Sequence, residues 1–360
     1  MKRCPRVHVL LLNYERWQDT LECLESVFRL DYPDFRVIVC DNASPNGSLE
    51  HLTAWAAGQL AAAPAVSEGL RCLSSPCVQK PVRYREYDRA AAECGGDLQD
   101  DPLLAFVQTG ENLGFAGGNN VGLRYLLARG ETGFVWLLNN DTVVAPDALR
   151  HLVEVAERDQ AVAAVGARLL HYSRPDEVWA AGGGKITRWN GMIRLVTEDH
   201  TAGRPIDHAS ELYYVAGTSM LIPMPALARV GLLDERYFMY SEEADWCLRA
   251  RAAGFQLAYA RAARVWHKEG QTIGRRSAAQ DYFVVRNTFV FMRKFFAPFL
   301  PLAMLYGVYR CFLPKLLRGE WARLAAVAHA YRDFLRLNGA DAAAPIGRAA
   351  VSRWVERNAS

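Results

Sequence analysis

A doubly wound α/β sheet, mostly parallel and followed by a helical appendage, is the fold class that this 360-residue sequence predicts. Three observations predict it. Two apolar runs of strand length, 7–12 (VHVLLL) and 35–40 (FRVIVC), are almost uninterrupted, as expected of parallel strands covered on both faces. Between them Leu21, Leu24, Val27 and Phe28 recur at helical spacing, which makes a βαβ unit. A hydrophobic share of 51% with 22% charged residues is that of a packed globular chain. Ligands of such sheets sit at the carboxyl ends of the strands, so strand ends are where chemistry is sought.

The elements follow in order. Tyr32-Pro33 breaks the first helix, and the second strand ends at Asp41. Residues 60–102 (AAAPA, SSPC, ECGG, DLQDDP) lack a period and read as an insertion or surface excursion. The alternation resumes with a strand at 103–108, a Gly/Asn-rich loop and a helix from about Asn120 to Arg129. A strand at 134–138 runs into Asn139-Asn140-Asp141; Pro146-Asp147 opens another helix, and 161–165 is a further strand. Signals from 171 to 211 are mixed, with WAAGGGKI loop-like, and 212–222 (LYYVAGTSMLI) returns to strand. Residues 241–253 read as a helix with a serine cap and an acidic first turn, ending at Gly254. Two short strands are expected at 256–260 and 264–266.

Beyond residue 270 the character changes. The stretch 295–309 (FFAPFLPLAMLYGVY) is apolar and bracketed by Arg293-Lys294 and Arg310, but it falls short of the ~20 residues that cross a bilayer. A helical run at 320–337 mixes arginine with apolar residues. Two readings stand side by side: an appendage packed on the core, or a helix pair lying on a membrane surface.

Several function classes recede. A net charge of +3 is too small for a nucleic-acid-binding face. The eight cysteines include no C-x-x-C pair, and Cys23, Cys40 and Cys247 fall inside apolar elements. The opening MKRCPRVHVLLLNY has too short an apolar run for a signal peptide, so a cytoplasmic location is expected, with contact at the inner face of the membrane as its variant.

Five stretches carry polar residues at strand ends or helix starts. Asp41, in VIVCDNASPNGS, stands where a carboxylate accepts hydrogen bonds from a nucleoside, with Asn42 and Ser44 shaping the turn; a plain turn or cap is the alternative. GENLGFAGGNNVGL places Gly114, Gly117 and Gly118 ahead of a helix, where backbone N–H groups approach a phosphate, although the stretch is neither a P-loop nor G-x-G-x-x-G. In WLLNNDTVV, Asp141 suits a divalent cation on a diphosphate and Asn139 a sugar, or both are merely a strand exit. FMYSEEADWCLRARAAGF sets Glu242, Glu243 and Asp245 in one helical turn; the helix dipole favours acids there, yet three so close repel. His267, in VWHKEG, follows a strand and is either structural or part of a metal site.

The order of these stretches resembles the inverting GT-A glycosyltransferases of family 2, especially their rhamnosyltransferase-like branch. The resemblance spans roughly residues 6–295 and rests on LLNYERWQDTLECLESV, DNAS, ENLGFAGGNN, LLNND, FMYSEEADWCLR and QDYFVVRNTFVFMRK. It implies a GT-A domain at 1–270, with the insertion at about 60–102, and a helical region at 271–360. It implies transfer of a sugar, rhamnose by branch, from a dTDP- or UDP-sugar to a hydroxyl of a glycan or lipid-linked glycan in cell-surface polysaccharide synthesis. Asp41 then meets the nucleobase, and Asn13, Asn42, Asn112, Gly117, Gly118, Asn119, Asn139 and Asn140 fall in the nucleotide-sugar site. Asp141 falls on the metal position of D-x-D, whose first Asp is here Asn139, and His267 on a histidine near the metal; Mg²⁺ or Mn²⁺ is implied. The base position falls on Glu243, with Glu242 and Asp245 beside it, although aspartate is more usual there. Two rivals are a non-catalytic nucleotide-sugar-binding scaffold and a sugar-nucleotidyltransferase. The first needs no aligned carboxylates, and LLNYERWQD lacks the Gly-rich basic signature of the second.

Overall fold

The computed structural model describes residues 4–63, 67–197, 212–268 and 277–336. The chain opens as the apolar pattern dictates: β1 (Val7–Asn13), α1 (Trp17–Val27) and β2 (Phe35–Asp41), then α2 (Ser48–Ala56). A short α3 (Arg71–Ser74) precedes β3 (Tyr84–Asp88) and α4 (Arg89–Glu93). The alternation continues through β4 (Leu104–Gln108), α5 (Gly114–Ala128), β5 (Phe134–Asn139), β6 (Thr142–Val144) and α6 (Ala148–Ala156). β7 (Val162–His171) and β8 (Val178–Ala181) lead to a small sheet made of β9 (Gly183–Ile186), β10 (Ile193–Leu195) and β11 (Tyr214–Val215). β12 (Ser219–Pro223), α7 (Met224–Val230), α8 (Glu242–Ala252) and β13 (Gln256–His267) complete the sheet region. The helices α9 (Ala278–Phe295), α10 (Leu300–Gly307), α11 (Leu313–Leu317) and α12 (Trp321–Arg336) follow.

The central sheet runs β3-β4-β2-β1-β5-β12-β7-β13-β6, with β8 paired to β7. β3, β4, β2, β1 and β5 are mutually parallel, and β12 enters antiparallel between β5 and β7. Register fixes which residues emerge together: Asn13 stands beside Asp41, Asp41 beside Gln108, and Leu12 beside Asn139. Alternation along β1 sends Val9 and Leu11 into the core under α1, α2 and α6, and Leu10 into the core under α5, α8, α9 and α12. Each such fully buried side chain stabilises the fold by roughly 1.5–3 kcal/mol relative to exposure.

Five expectations need correction. The stretch 60–102 is not wholly an excursion, because β3 adds an edge strand parallel to β4. Its sequence YREYD hid this: an edge strand exposed on most of its length carries charge instead of an apolar run. The Gly/Asn-rich loop before Asn120 is helix from Gly114 onward. Its glycines let α5 lie against the sheet: a Cβ on Gly118 would stand 2.5 Å from Leu12 Cδ1, and one on Gly122 2.4 Å from Leu10 Cδ1. WAAGGGKI is β8 and β9, where Gly183 has no room for a side chain, a Cβ falling 2.0 Å from the Tyr214 carbonyl oxygen. The strand expected at 212–222 is two strands in different sheets, parted by the turn at Ala216-Gly217-Thr218. Conversely, 256–266 is one strand whose register against β7 slips between Ala260 and Arg264. Residues 198–211 of the mixed stretch, and the expected helix end at Leu337, lie outside the described residues.

Candidate active site

The ends of β5 and β13, the turn after β5 and the start of α8 converge on a cavity of about 870 Å³. β5 delivers Asn139 to it, and the turn after β5 delivers Asp141. β6 then reverses and pairs antiparallel with β13, Thr142 opposite His267, and the Lys268 N–H donates to the Asp141 carbonyl at 3.0 Å. That pairing brings His267 Nε2 to 3.2 Å from Asp141 Oδ1, both residues being buried. Lys268 is itself anchored to Asp19 at 2.5 Å and Glu22 at 2.6 Å on α1, which holds the end of β13 against the sheet.

Across the cavity stand Glu242 and Glu243, from the first turn of α8. The backbone before them is unusual: Phe238, Tyr240 and Ser241 all have positive φ, at 62°, 70° and 78°. Non-glycine residues hold such angles only where the surroundings enforce them. Buried Asn287 on α9 enforces them, its Nδ2 donating to the carbonyls of Tyr237, Met239 and Tyr240 at 2.9, 2.6 and 2.9 Å. Arg286 Nη1 donates to Asn287 Oδ1 at 2.6 Å and so fixes which end of the amide faces the loop. Phe238 stacks on Phe283, and the Ala116 N–H donates to the Phe238 carbonyl, whose oxygen would lie 2.4 Å from a Cβ on Gly114. Ser241 makes no side-chain cap, contrary to the serine-cap expectation, and its backbone is left-handed where a capping residue is normally extended.

Burial, and then repulsion from Glu243, push the Glu242 carboxyl well above the ordinary glutamate value of 4.5. Burial raises Glu243 too, while backbone N–H groups at the start of α8 pull it back. Glu242 Oε2 and Glu243 Oε2 have no hydrogen-bond partner among the described residues. Two carboxylates this close share charge reluctantly, and both burial and this repulsion favour the neutral form more at Glu242 than at Glu243.

Asp245 does not join them. It is wholly buried and bound to Arg249 Nε at 2.7 Å, Lys294 Nζ at 2.5 Å and Tyr237 Oη at 3.0 Å. It welds α8 to α9 and corrects the expectation of a third acid at the reacting centre.

The other expected binding residues lie apart from the cavity lining. Asp41 Oδ1 accepts from Asn13 Nδ2 and Ser44 Oγ, each at 2.6 Å, and Oδ2 from the Ser44 N–H at 3.0 Å and Gln108 Nε2 at 3.1 Å. Its lone pairs are thereby filled, so a direct nucleobase contact requires one partner to leave, Gln108 being the one with the longest bond. Asn13 Oδ1 accepts from Thr20 and from Asn140 Nδ2, so Asn140 ties the turn after β5 to α1. Asn42 bridges to Asn112 and to the carbonyl of Gly114, and Asn119 bonds back to the Phe115 carbonyl. Gly117 and Gly118 are interior to α5.

Sequence reasoning missed much of the cavity wall: Phe115, Trp179, Tyr214, Thr218, Gln280 and Thr288. Gly217 packs its Cα edge toward Glu243, a Cβ there meeting Glu243 Cβ at 3.6 Å. Gln280 and Thr288 lie in QDYFVVRNTFVFMRK, the one stretch that carried a signal for them.

Asp141 and His267 are the residues that could hold a divalent cation in this cavity. Asp141 Oδ1, His267 Nδ1 and Asn139 Oδ1 are buried without hydrogen-bond partners, although Asp141 and His267 approach each other closely. Burial works to raise the Asp141 carboxyl, but the neighbouring His267, a backbone hydrogen bond and the Lys268 ammonium outweigh it and hold the group below its ordinary value. Among the described residues no group of three or more His, Cys, Asp or Glu side chains could hold a metal, so such an ion needs oxygens from its ligand as well.

Comparisons with known proteins bear on the fold and the family. A model of the family described as "Glycosyltransferase like family 2" matches residues 89–280, more than half of the chain, and one described as "Glycosyl transferase family 2" matches residues 8–63. The low-salt glycan biosynthesis hexosyltransferase Agl10 of Haloferax volcanii is 26% identical over 196 residues, 54% of this chain and 62% of that protein. The alignment thus spans less than two thirds of that relative. The N-acetylglucosaminyl-diphospho-decaprenol L-rhamnosyltransferase of Mycobacterium tuberculosis is 25% identical over 213 residues, 54% of this chain and 68% of that protein. Among solved structures, GalNAc-T7 with UDP, GalNAc and Mn²⁺ superposes with a TM-score of 0.50 at 14% identity, covering 80% of this chain and 51% of that one, a likeness of GT-A fold. The chain belongs to glycosyltransferase family 2, and it resembles the rhamnosyltransferase-like branch of that family.

Proposed function

We propose that this chain transfers a sugar, rhamnose by its branch, from a dTDP- or UDP-sugar to a hydroxyl of a glycan or lipid-linked glycan, with inversion at the anomeric carbon. The unit that does so is residues 1–270, with 271–360 as an attached helical region. The observation that carries the reading is the acid pair Glu242–Glu243 facing Asn139, Asp141 and His267 across one cavity. The two relatives, a hexosyltransferase and a diphospho-decaprenol rhamnosyltransferase, support the choice of sugar and acceptor classes.

Glu243 acts as the base. Its carboxylate takes the proton of the acceptor hydroxyl while that oxygen bonds to the anomeric carbon, and the carbon–oxygen bond to the diphosphate breaks on the opposite face. Glu242, protonated beside it, lets Glu243 carry the single negative charge and adds an O–H donor to the cavity. Asn139 offers its unpaired amide oxygen to a sugar hydroxyl. Asp141 and His267 would hold Mg²⁺ or Mn²⁺, which when bound neutralises charge gathering on the departing diphosphate. Water is kept from the centre by the apolar wall of Phe115, Trp179 and Tyr214.

Two variants separate the roles. Glu243→Gln is expected to lower turnover by at least about 10²-fold while nucleotide-sugar binding survives. Asp141→Asn is expected to lose metal-dependent nucleotide-sugar binding. If Glu243→Gln keeps its turnover, the base assignment is wrong; if it loses binding along with turnover, Glu243 holds the donor instead.

A further inference from the structure

The far end of the cavity is built by the helices after α9: Ala303, Tyr306, Gly307 and Arg310 line it. The adjoining face of the same helices is bare. Leu302, Leu305, Tyr309, Leu313, Leu317 and Trp321 are exposed, Leu305 and Tyr309 at 67%, Trp321 at 66% and Leu317 at 86%. Their steps of three or four place most of them along one side of the helical run. A soluble surface rarely gathers so many large apolar groups without something to cover them.

The charge around this face points to the cover. Between Asp281 and Glu320 the sequence has no acidic residue, yet it carries Arg286, Arg293, Lys294, Arg310, Lys315 and Arg318. Arg286 and Lys294 serve internal contacts, and Lys315 pairs with Asp281 at 3.2 Å. Arg310 and Arg318 are exposed and have no carboxylate partner among the described residues. A second copy of the chain is a poor cover, because a two-fold contact over this face would bring like charges together. An anionic bilayer meets both features, apolar groups at the acyl boundary and arginines at the headgroups. No helix among the described residues is long and apolar enough to cross a membrane, so the contact would be with its surface.

We infer that residues 299–321 form a docking face for an anionic lipid bilayer, and that this face sets the Arg310 end of the cavity against the membrane. Docking there supplies the acceptor: the lipid chain stays in the bilayer, Arg310 meets the phosphate that joins lipid to sugar, and the sugar hydroxyl reaches Glu243 along the cavity. The acceptor half of this inference rests on the transferase reading; the docking half does not.

The test sediments the full chain with vesicles of phosphatidylcholine alone or mixed with phosphatidylglycerol. The native chain is expected to pellet with the anionic vesicles. Leu305→Glu with Leu317→Glu, both side chains largely in solvent and so harmless to packing, is expected to weaken binding at least about tenfold. Arg310→Gln with Arg318→Gln is expected to weaken it about tenfold on anionic vesicles and to erase the preference for them. No pelleting of the native chain, or pelleting indifferent to the two glutamates, overturns the inference. So does a dimer in sedimentation velocity that the glutamates split, which would give the face to a second copy. A nucleotide-sugar melting shift, measured on the same protein without lipid, reports on the transferase reading separately.

Discussion

At the scale of single residues, Glu242 and Glu243 differ by environment and not by chemistry. Glu242 is the more deeply buried, and its folded carboxyl lies well above the value of 4.5 that it has in an unfolded chain. A carboxyl raised in this way stabilises the fold fully below 4.5, and that contribution is lost as pH rises through its folded value. Glu242→Gln is neutral at every pH, so it should melt higher than the native chain at pH 7–8, and the advantage should vanish as pH approaches 4.5. Melting curves across that range check it; an unchanged gap between the two proteins would mean that Glu242 is ionised at neutral pH. The same residue scale limits Asp41. FRVIVCD announced a carboxylate at a strand end, but the sequence could not show that four donors would already fill it. Side-chain partners brought in from β1 and β4 decide whether such a group is open to a ligand.

At the scale of elements, the acid pair depends on a helix that does not contain it. α9 reaches back through Asn287 to three carbonyls of the loop before α8, a loop with three non-glycine residues at positive φ. Each of those angles costs of order 1–3 kcal/mol, and together they aim the start of α8. Asn287→Asp cannot donate to the carbonyls, and Asn287→Ala fills less space; both should lower kcat at least about tenfold while the nucleotide-sugar melting shift and KM for the donor hold. A loss spread equally over kcat and donor KM would make Asn287 a general packing residue. QDYFVVRN belongs to a stretch on which the family resemblance rests, but nothing in it says which carbonyls its asparagine meets, because those lie 47 to 50 residues earlier in the chain. Likewise, the glycines of ENLGFAGGNN are legible as glycines only. Their use, close approach of α5 to Leu10 and Leu12, is a matter of packing distance.

At the scale of the molecule, the sheet order brings β5 and the β6–β13 pairing to one side of the acid helix, and the C-terminal helices close the other end. The expected outcome is a protein that melts higher with one class of nucleotide-sugar, dTDP or UDP, in Mn²⁺ or Mg²⁺, and loses that shift in EDTA. A thermal-shift panel measures it. A shift that persists in EDTA would leave Asp141 and His267 as an ordinary buried pair, and no shift with any donor would favour the scaffold reading.

The sequence by itself determined the βαβ opening, the strand ends at Asp41 and Asn139–Asp141, the helix starting at Glu242, and the family these imply, because periodicity and short polar exits are local properties. Tertiary structure decided the rest. It put β3 at the sheet edge, extended α5 back to Gly114 over a supposed loop, split 212–222 between two sheets, turned Asp245 away to Lys294, and brought His267 to Asp141. Each of those outcomes depends on which distant segment fills the neighbouring space, and local spacing carries no record of that.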